Sequence, residues 1–495
     1  MTHREGLLAR LDDRINPIVV KEMRQAVNGK FVAWTLVLLL VFQLVALGLF
    51  VISGGDFSTR TTGGRDAFLI LQAIMLGACL LFVPAYAGGR LAFERSDANV
   101  DLLFITTIKP VAIVGGKVFC ALAITTLIFS ACMPFMVFTY WLRGIDLPSI
   151  FVMMAICFIE VAVAINMATL IACLPSGRVI KILLSIVLLF AFMVCFSITV
   201  GMSYQLASSG IGSKLHKWQF WEPALTVLLI SGVVIGLLFS ASTALLTPIS
   251  ANRALPVRVF ITATWIAGGA ISAVVCYADH SRVPLEVWGL LSAIVFAAAL
   301  FVAVSEREAL GSRVALAIPR NPFRRLLAFF FFSGAASGVT WAVASSMLTY
   351  AVFEILPRPF SVRSGASNGV RVWIIGLPLY AFCYSMTAVW LRRKLFSRRI
   401  GQRHTWALGL ILLCIGSIVP FLVGFLAFFG NWGKIEEIGA WFVFNPFALG
   451  IDKFRTVYLT VAFIWALLAA AMNAGWIGNQ IEPFRAPDRV ETLSL

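Results

Sequence analysis

Long apolar runs alternate with short polar segments along almost the whole chain. The runs cover roughly residues 31–52, 67–87, 111–140, 150–173, 179–201 and 223–246, then 258–278, 285–304, 327–353, 372–391, 404–429 and 456–478. A helix needs about 20 mostly apolar residues to cross the hydrocarbon core of a bilayer. Each run meets that length, so the pattern predicts an all-α, polytopic helical membrane protein with about twelve transmembrane helices. A β-barrel would instead show alternating segments of about 10 residues, and these runs are longer and uniformly apolar. The polar gaps are too short for a soluble domain of ordinary size. The run 111–140 exceeds what one upright span needs, and Pro134 predicts a break, a tilt or a re-entrant turn within it.

The polar segments carry their own patterns. In residues 1–30, Asn16-Pro17 is a helix start, since Asn caps and Pro fits the first helical position. Ile18, Val19, Met23, Ala26 and Val27 recur at helical spacing, with Lys21, Arg24 and Gln25 on the other side and Gly29 as the stop. This predicts a short amphipathic helix lying in the membrane interface. Gly88 to Lys117, GGRLAFERSDANVDLLFITTIKPVAIVGGK, is the longest polar interruption in the first strongly apolar part of the chain. Placed on a helix over 91–105, Glu94, Asp97 and Asp101 form one acidic edge. Phe93, Val100 and Phe104 cluster on one side of that edge; Leu91, Ala98, Leu102 and Ile105 cluster on the other. Such an edge meets anionic lipid badly, which favours a protein partner.

Composition and charge then fix orientation. Only 13% of residues are charged, against about 25% in soluble domains. With the N-terminus inside, the inner segments hold 26 of the 39 basic residues, which matches the positive-inside rule and places the N-terminus in the cytoplasm. The net charge of +16 therefore reads as topology and not as nucleic-acid binding. The first apolar run starts behind a long charged segment with no small-residue cleavage site, so a retained first span is expected rather than a signal peptide. The nine cysteines include no CxxC pair, and the four histidines are scattered; no metal site is expected, and Asp279-His280 reads as a surface turn.

Catalytic signatures are missing. Gly115-Gly116-Lys117 is followed by Val118 and lacks the P-loop Ser or Thr. No GxSxG elbow or dinucleotide fingerprint occurs. No catalytic residue is assigned, and the chain is expected to hydrolyse no ATP itself. Glu160, within ICFIEVAVAINM, is the main ionisable group inside a span. Such a group is costly in lipid; it is either a substrate, ion or gating contact or a hydrogen-bonded packing residue. Gln43, Gln72, Asn166 and Asn473 are expected to make hydrogen bonds between helices. Two spans hold a GxxxG pattern, Gly232 to Gly236 and Gly334 to Gly338, a candidate for close helix contact. Asn16-Pro17 and Asn321-Pro322 both precede spans among basic residues, a faint sign of duplication.

A family resemblance rests on three features. FERSDANVDLLFITTIKPVAIVGGK joins a charged Glu-Arg pair to an Asp-Leu-Leu segment, a Lys-Pro and a Gly-Lys that leads into a span. NPIVVKEMRQ precedes the first span, and six spans run to about residue 246. Together these resemble the permeases of ABC transporters of the ABC-2 type, mainly over residues 15–258. The resemblance implies a six-span permease unit (31–250); the apolar runs and the charge count add a cytoplasmic amphipathic N-terminal segment (1–30), a further six-span region (251–478) on whose role the resemblance is silent, and a cytoplasmic tail (479–495). It implies a permease dimer, of the chain with itself or with a paralogue, in the bacterial cytoplasmic (inner) membrane. It also implies a separate cytosolic ABC ATPase subunit as partner, where ATP and magnesium would bind. The loop between spans two and three would be the coupling helix. Glu94, Arg95, Asp97 and Asp101 would contact the ATPase, while Lys109, Pro110 and Lys117 would fix the return into the third span. The transport is expected to be export. The alternatives are an ion-gradient-driven secondary transporter, which should show repeats and several midplane charges, and a non-transporting membrane scaffold or lipid enzyme. Membrane lipids are partners on every reading, and nucleic acid is not.

Overall fold

The computed structural model describes residues 17–53, 62–96, 109–174, 178–248, 251–356, 368–427 and 442–485. Among these residues the regular structure is helical, and twelve helices are long and apolar enough to cross a membrane. The chain is an all-α polytopic membrane protein. It forms two compact units, Met1–Pro248 and Ile249–Leu495.

The first unit contains α1 (Pro17–Asn28), α2 (Lys30–Ser53), α3 (Gly63–Ser96), α4 (Pro110–Trp141), α5 (Leu147–Cys173), α6 (Arg178–Ser209) and α7 (Trp218–Leu246). Helices α3 and α5 form its centre. Helix α3 packs most extensively on α5 and α4, and α5 packs in turn on α7. The core is built from Phe68, Leu71, Met75 and Cys79 of α3, Val114 and Met136 of α4, and Ile150, Met153 and Ile165 of α5. Apolar side chains of α2, α6 and α7, such as Trp34, Leu44, Ile182, Phe190 and Leu229, remain exposed. That is the pattern of helices whose outer faces meet lipid. Pro134 lies inside α4 without ending it, so the expected break is not formed.

At the outer end of this unit, two connections are pinned. The α4–α5 turn uses left-handed Arg143 and Gly144, and the amide of Gly64 donates to the Arg143 carbonyl at 2.7 Å. Asp146 accepts from the Gly212 amide at 2.6 Å and from the Ser149 hydroxyl. Ser149 accepts the Ile211 amide at 3.0 Å. These bonds satisfy backbone donors that would otherwise be orphaned where helices end.

The second unit contains α8 (Ala254–Asp279), α9 (Val283–Ala303), the short α10 (Ser312–Leu316), α11 (Pro322–Phe331), α12 (Ala335–Ile355), α13 (Asn368–Lys394), α14 (Thr405–Ala427), α15 (Arg455–Met472) and α16 (Ala474–Ile481). Here α9 and α13 form the centre. One core gathers Phe296, Leu300, Val339, Trp341, Met386 and Trp476. Another gathers Tyr380, Tyr384, Leu449 and Tyr458, where the two buried phenols donate to backbone carbonyls, Tyr380 to Val443 at 2.6 Å and Tyr384 to Phe444 at 2.5 Å. Asp279-His280 closes α8, with His280 in the left-handed region.

Two expected spans are cut shorter. The run 327–353 is divided by a break after Phe331, so α11 is separate and the span is α12. The run 456–478 is divided at Asn473, between α15 and α16. Asn473 stabilises that break by donating to the Met386 carbonyl at 3.0 Å and to the Ala469 carbonyl at 2.9 Å.

Candidate functional site

The strongest concentration of charge in the first unit lies at the inner end of α3 and α4. That is the side the basic residues assign to the cytoplasm. Helix α1 docks there. Its inward stripe is the half-buried Ile18 and the buried Glu22 and Ala26, one turn apart, and Val27 is left exposed. A carboxylate on the buried stripe of a helix needs a partner, because burying an unpaired charge is costly. Glu22 finds two. Lys117, on the third turn of α4, places its Nζ 2.8 Å from Glu22 Oε1 and 2.8 Å from Glu94 Oε2. Arg90, on α3, holds its Nε 3.7 Å from Glu22 Oε2. Lys117 and Glu22 are each only 4% exposed at the side chain. Two cations and two carboxylates thus balance in a largely closed cluster, with Lys21 at its rim, 4.0 Å from Glu94.

Arg90 extends the cluster. It donates to Tyr86 Oη at 2.6 Å and to Gln25 of α1. The Tyr86 ring stacks on Phe31 of α2 with centroids 5.8 Å apart. Three helices and the start of a fourth therefore converge on one electrostatic knot. Gly116 makes the approach feasible: a Cβ there would lie 2.8 Å from Ile18 Cγ2. The Gly-Gly-Lys sequence, which resembles a truncated phosphate loop, serves here as a helix surface that admits α1 and then binds its carboxylate.

The structure places the remaining expected residues as follows. Glu94 is in the last turn of α3 and joins the knot. Leu91–Ser96 continue α3 without interruption instead of beginning a separate loop helix. Arg95 belongs to that turn by backbone, and its side chain lies outside the described residues. Asp97 and Asp101, with the rest of 97–108, also lie outside them, as does Asn16. Lys109 is exposed at the N-cap of α4, with Pro110 first in the helix. Lys117 is buried, so in this arrangement it reaches other residues of its own chain and not a surface. Helix α1 is likewise fastened to protein along its Glu22 stripe, a firmer seat than the expected interfacial helix resting on lipid.

Reading the sequence alone missed Glu22, Tyr86 and Arg90 as members of a site. The available signal was the position of Glu22, four residues from both Ile18 and Ala26 on the apolar stripe.

Within the membrane part, Glu160 of α5 accepts from Thr199 of α6 at 2.7 Å through Oε2. Its Oε1 is buried with no hydrogen-bond partner among the described residues. One turn along, Gln72 of α3 donates to Ser203 of α6 at 2.8 Å and to Cys157 of α5 at 3.0 Å. These groups form a short polar track across α3, α5 and α6. Gln43 reaches the Leu71 carbonyl of α3 at 3.5 Å. Asn166 differs from expectation: it donates to Ala162 of its own helix at 2.8 Å. Of the paired glycines, Gly232 faces open space, while Gly338 is pressed against Ala303 of α9, where a Cβ would lie 2.8 Å from the alanine Cβ. Gly334 is not in a span; it precedes α12.

No family model, curated protein or solved structure matches the chain.

Proposed function

We propose that the chain is the membrane permease subunit of an ATP-driven ABC transporter of the ABC-2 type, working as an exporter in the bacterial cytoplasmic membrane. A separate cytosolic ATPase would bind ATP and magnesium and push on the loop 88–117 between the second and third spans. The observation that carries this reading is the knot in which buried Glu22 and Lys117 meet the partly exposed Arg90 and Glu94. It lies where α3 runs into the 97–108 segment and α4 returns from it. A force on that segment would reach α1, α3 and α4 together, because one cluster of charge holds all three. A simple turn between spans needs no such anchorage. Asp97 and Asp101 would supply carboxylates for contact with the ATPase, and Lys109-Pro110 would set the return. Assembly would be a permease dimer, with itself or with a paralogue, by the same family likeness. Glu160, with one free buried oxygen beside Thr199, is the intramembrane candidate for contact with substrate or for gating.

The decisive experiment reverses Asp97 and Asp101 to Lys and follows the co-purified ATPase in reconstituted membranes. The variant is expected to insert and keep its thermal stability, yet to lose recovery of the ATPase and its transport-linked hydrolysis. Coupling that survives the double reversal would sink the proposal. Transport that persists without ATP but collapses with an uncoupler would replace it with a gradient-driven carrier.

A further inference from the structure

The second unit repeats the packing order of the first. In the first unit, the second span (α3) packs most on the fourth (α5) and third (α4), and the fourth packs next on the sixth (α7). In the second unit, the second span (α9) packs most on the fourth (α13) and third (α12), and the fourth packs next on the sixth (α15). The fifth span touches the fourth and the second in both. Each unit holds six of the twelve candidate spans found among the described residues.

The correspondence reaches the segment between the second and third spans. Glu94-Arg95 leads to Pro110, and Glu306-Arg307 leads to Pro322, at the same interval of 16 residues. Each proline opens a helix at its first position. Each glutamate is held by a buried cation: Glu94 by Lys117 at 2.8 Å, and Glu306 by Arg258 of α8 at 2.5 Å. The helix α4 that follows Pro110 is unbroken over 32 residues. Its counterpart is split into α11 and α12. Arg258 fills the break, donating to the carbonyls of Phe330 at 2.9 Å and Phe332 at 2.7 Å. Glu306 accepts the Gly334 amide there at 2.9 Å, and Asn252 accepts that of Ser333 at 2.9 Å.

The charge has reversed. Glu94 to Pro110 carries three carboxylates against Arg95 and Lys109. The matching Glu306 to Pro322 carries three arginines against two glutamates, with Arg324 and Arg325 just beyond, and Glu306 is consumed by Arg258 while Glu308 pairs with Arg392. Arg313, Arg320 and Arg324 are exposed. Helix α11 has no buried residue; Phe323, Leu326 and Leu327 stand open beside Arg324 and Arg325. The adjoining segment adds exposed Arg393, Lys394, Arg398, Arg399 and Arg403, and Gln402 ties it to the Glu306 carbonyl. Apolar side chains flanked by arginines on a helix at the inner face suit an anionic lipid surface.

We propose that Ile249–Leu495 is a divergent second copy of the six-span unit, whose segment 305–334 holds anionic lipid headgroups where the sequence of the first copy carries Asp97 and Asp101. The lipid readout needs no ATPase, so it stands apart from the proposed coupling. The full chain is placed in nanodiscs of phosphatidylcholine alone or with phosphatidylglycerol, and amide hydrogen exchange is followed over 312–331. Exchange in this stretch is expected to slow at least several-fold with phosphatidylglycerol. In the R324E/R325E double variant the two lipids should give the same rate, with α9 and α12 protected as before. Equal exchange of the unaltered chain in both lipids would overturn the inference. So would protection of 312–331 that appears only when the ATPase is added, since the segment would then be a second protein handle.

Discussion

Lys117 is the residue on which the inner end of the first unit depends. Its ammonium is shared by Glu22 and Glu94 at 2.8 Å each, away from solvent. Removing one member of a buried ion pair leaves the other charge uncompensated, at a cost of about 3–5 kcal/mol. Lys117→Met strands Glu22, whose remaining cation, Arg90, is 3.7 Å away. We expect the variant to unfold at distinctly lower temperature in detergent, by about that free energy. Glu22→Leu combined with Lys117→Met should recover a substantial part of the loss, because the deeply buried carboxylate is then no longer stranded, while Glu94 is a third exposed and keeps Lys21 at 4.0 Å. Equal melting of Lys117→Met and the unaltered protein would show that the knot stores no stability. The exposed pairs provide a contrast. Arg65 and Asp66, neighbours in sequence at 3.4 Å and partly open to solvent, belong to the class worth about 0–1 kcal/mol.

At the scale of the element, the apolar period predicted the spans well and their interruptions poorly. Hydropathy reports whether a segment tolerates lipid, and an uninterrupted apolar run says nothing about where its backbone hydrogen bonds are broken. The break after Phe331 sits inside such a run, and it exists because Arg258, Asn252 and Glu306 supply partners from elsewhere in the chain. Pro134 shows the converse, a proline that its surroundings absorb within a continuous helix. The site was legible in part. Glu94 stood out in the charged Glu-Arg pair of a polar interruption and Lys117 in the Gly-Gly-Lys that leads into a span, whereas Glu22 was overlooked because its helix reads as basic and amphipathic. Close approaches between elements separate two glycines in a testable way. A Cβ on Gly64 would lie 2.2 Å from the Arg143 carbonyl oxygen and 2.3 Å from that of Thr139. Backbone cannot swing aside, so Gly64→Ala should lower the melting temperature of the unit, by about 1–3 kcal/mol in stability. A Cβ on Gly116 meets the Ile18 side chain of α1. Gly116→Ala should leave the spans intact and loosen α1 alone, read as faster trypsin cleavage at Lys21 or Arg24. If both variants gave the same pattern, α1 would be as integral to the fold as the α4–α5 turn.

For the whole molecule, each unit has its own apolar core. Among the described residues, the largest cluster is built from Met1–Pro248 and the other three from Ile249–Leu495. The ion clusters divide in the same way: Lys117 with Glu22 and Glu94, Arg258 with Glu306, and Arg392 with Glu308. The duplication was hidden in the sequence because lipid-facing positions accept almost any apolar residue, so two copies keep a packing order long after their side chains diverge. Only the Glu-Arg pairs and the following prolines kept their interval, since anchorage and helix start constrain them. A helix bundle with a complete core and internally paired charges should form without the other. We therefore expect residues 1–248, expressed alone, to insert and to resist trypsin within α3–α5. The Lys117→Met substitution should destabilise this fragment by the same amount as the full chain. A fragment that inserts but stays protease-sensitive throughout would mean that the first unit needs the second to close its fold. The buried knot would then be a consequence of the joined chain and not a property of one six-span unit.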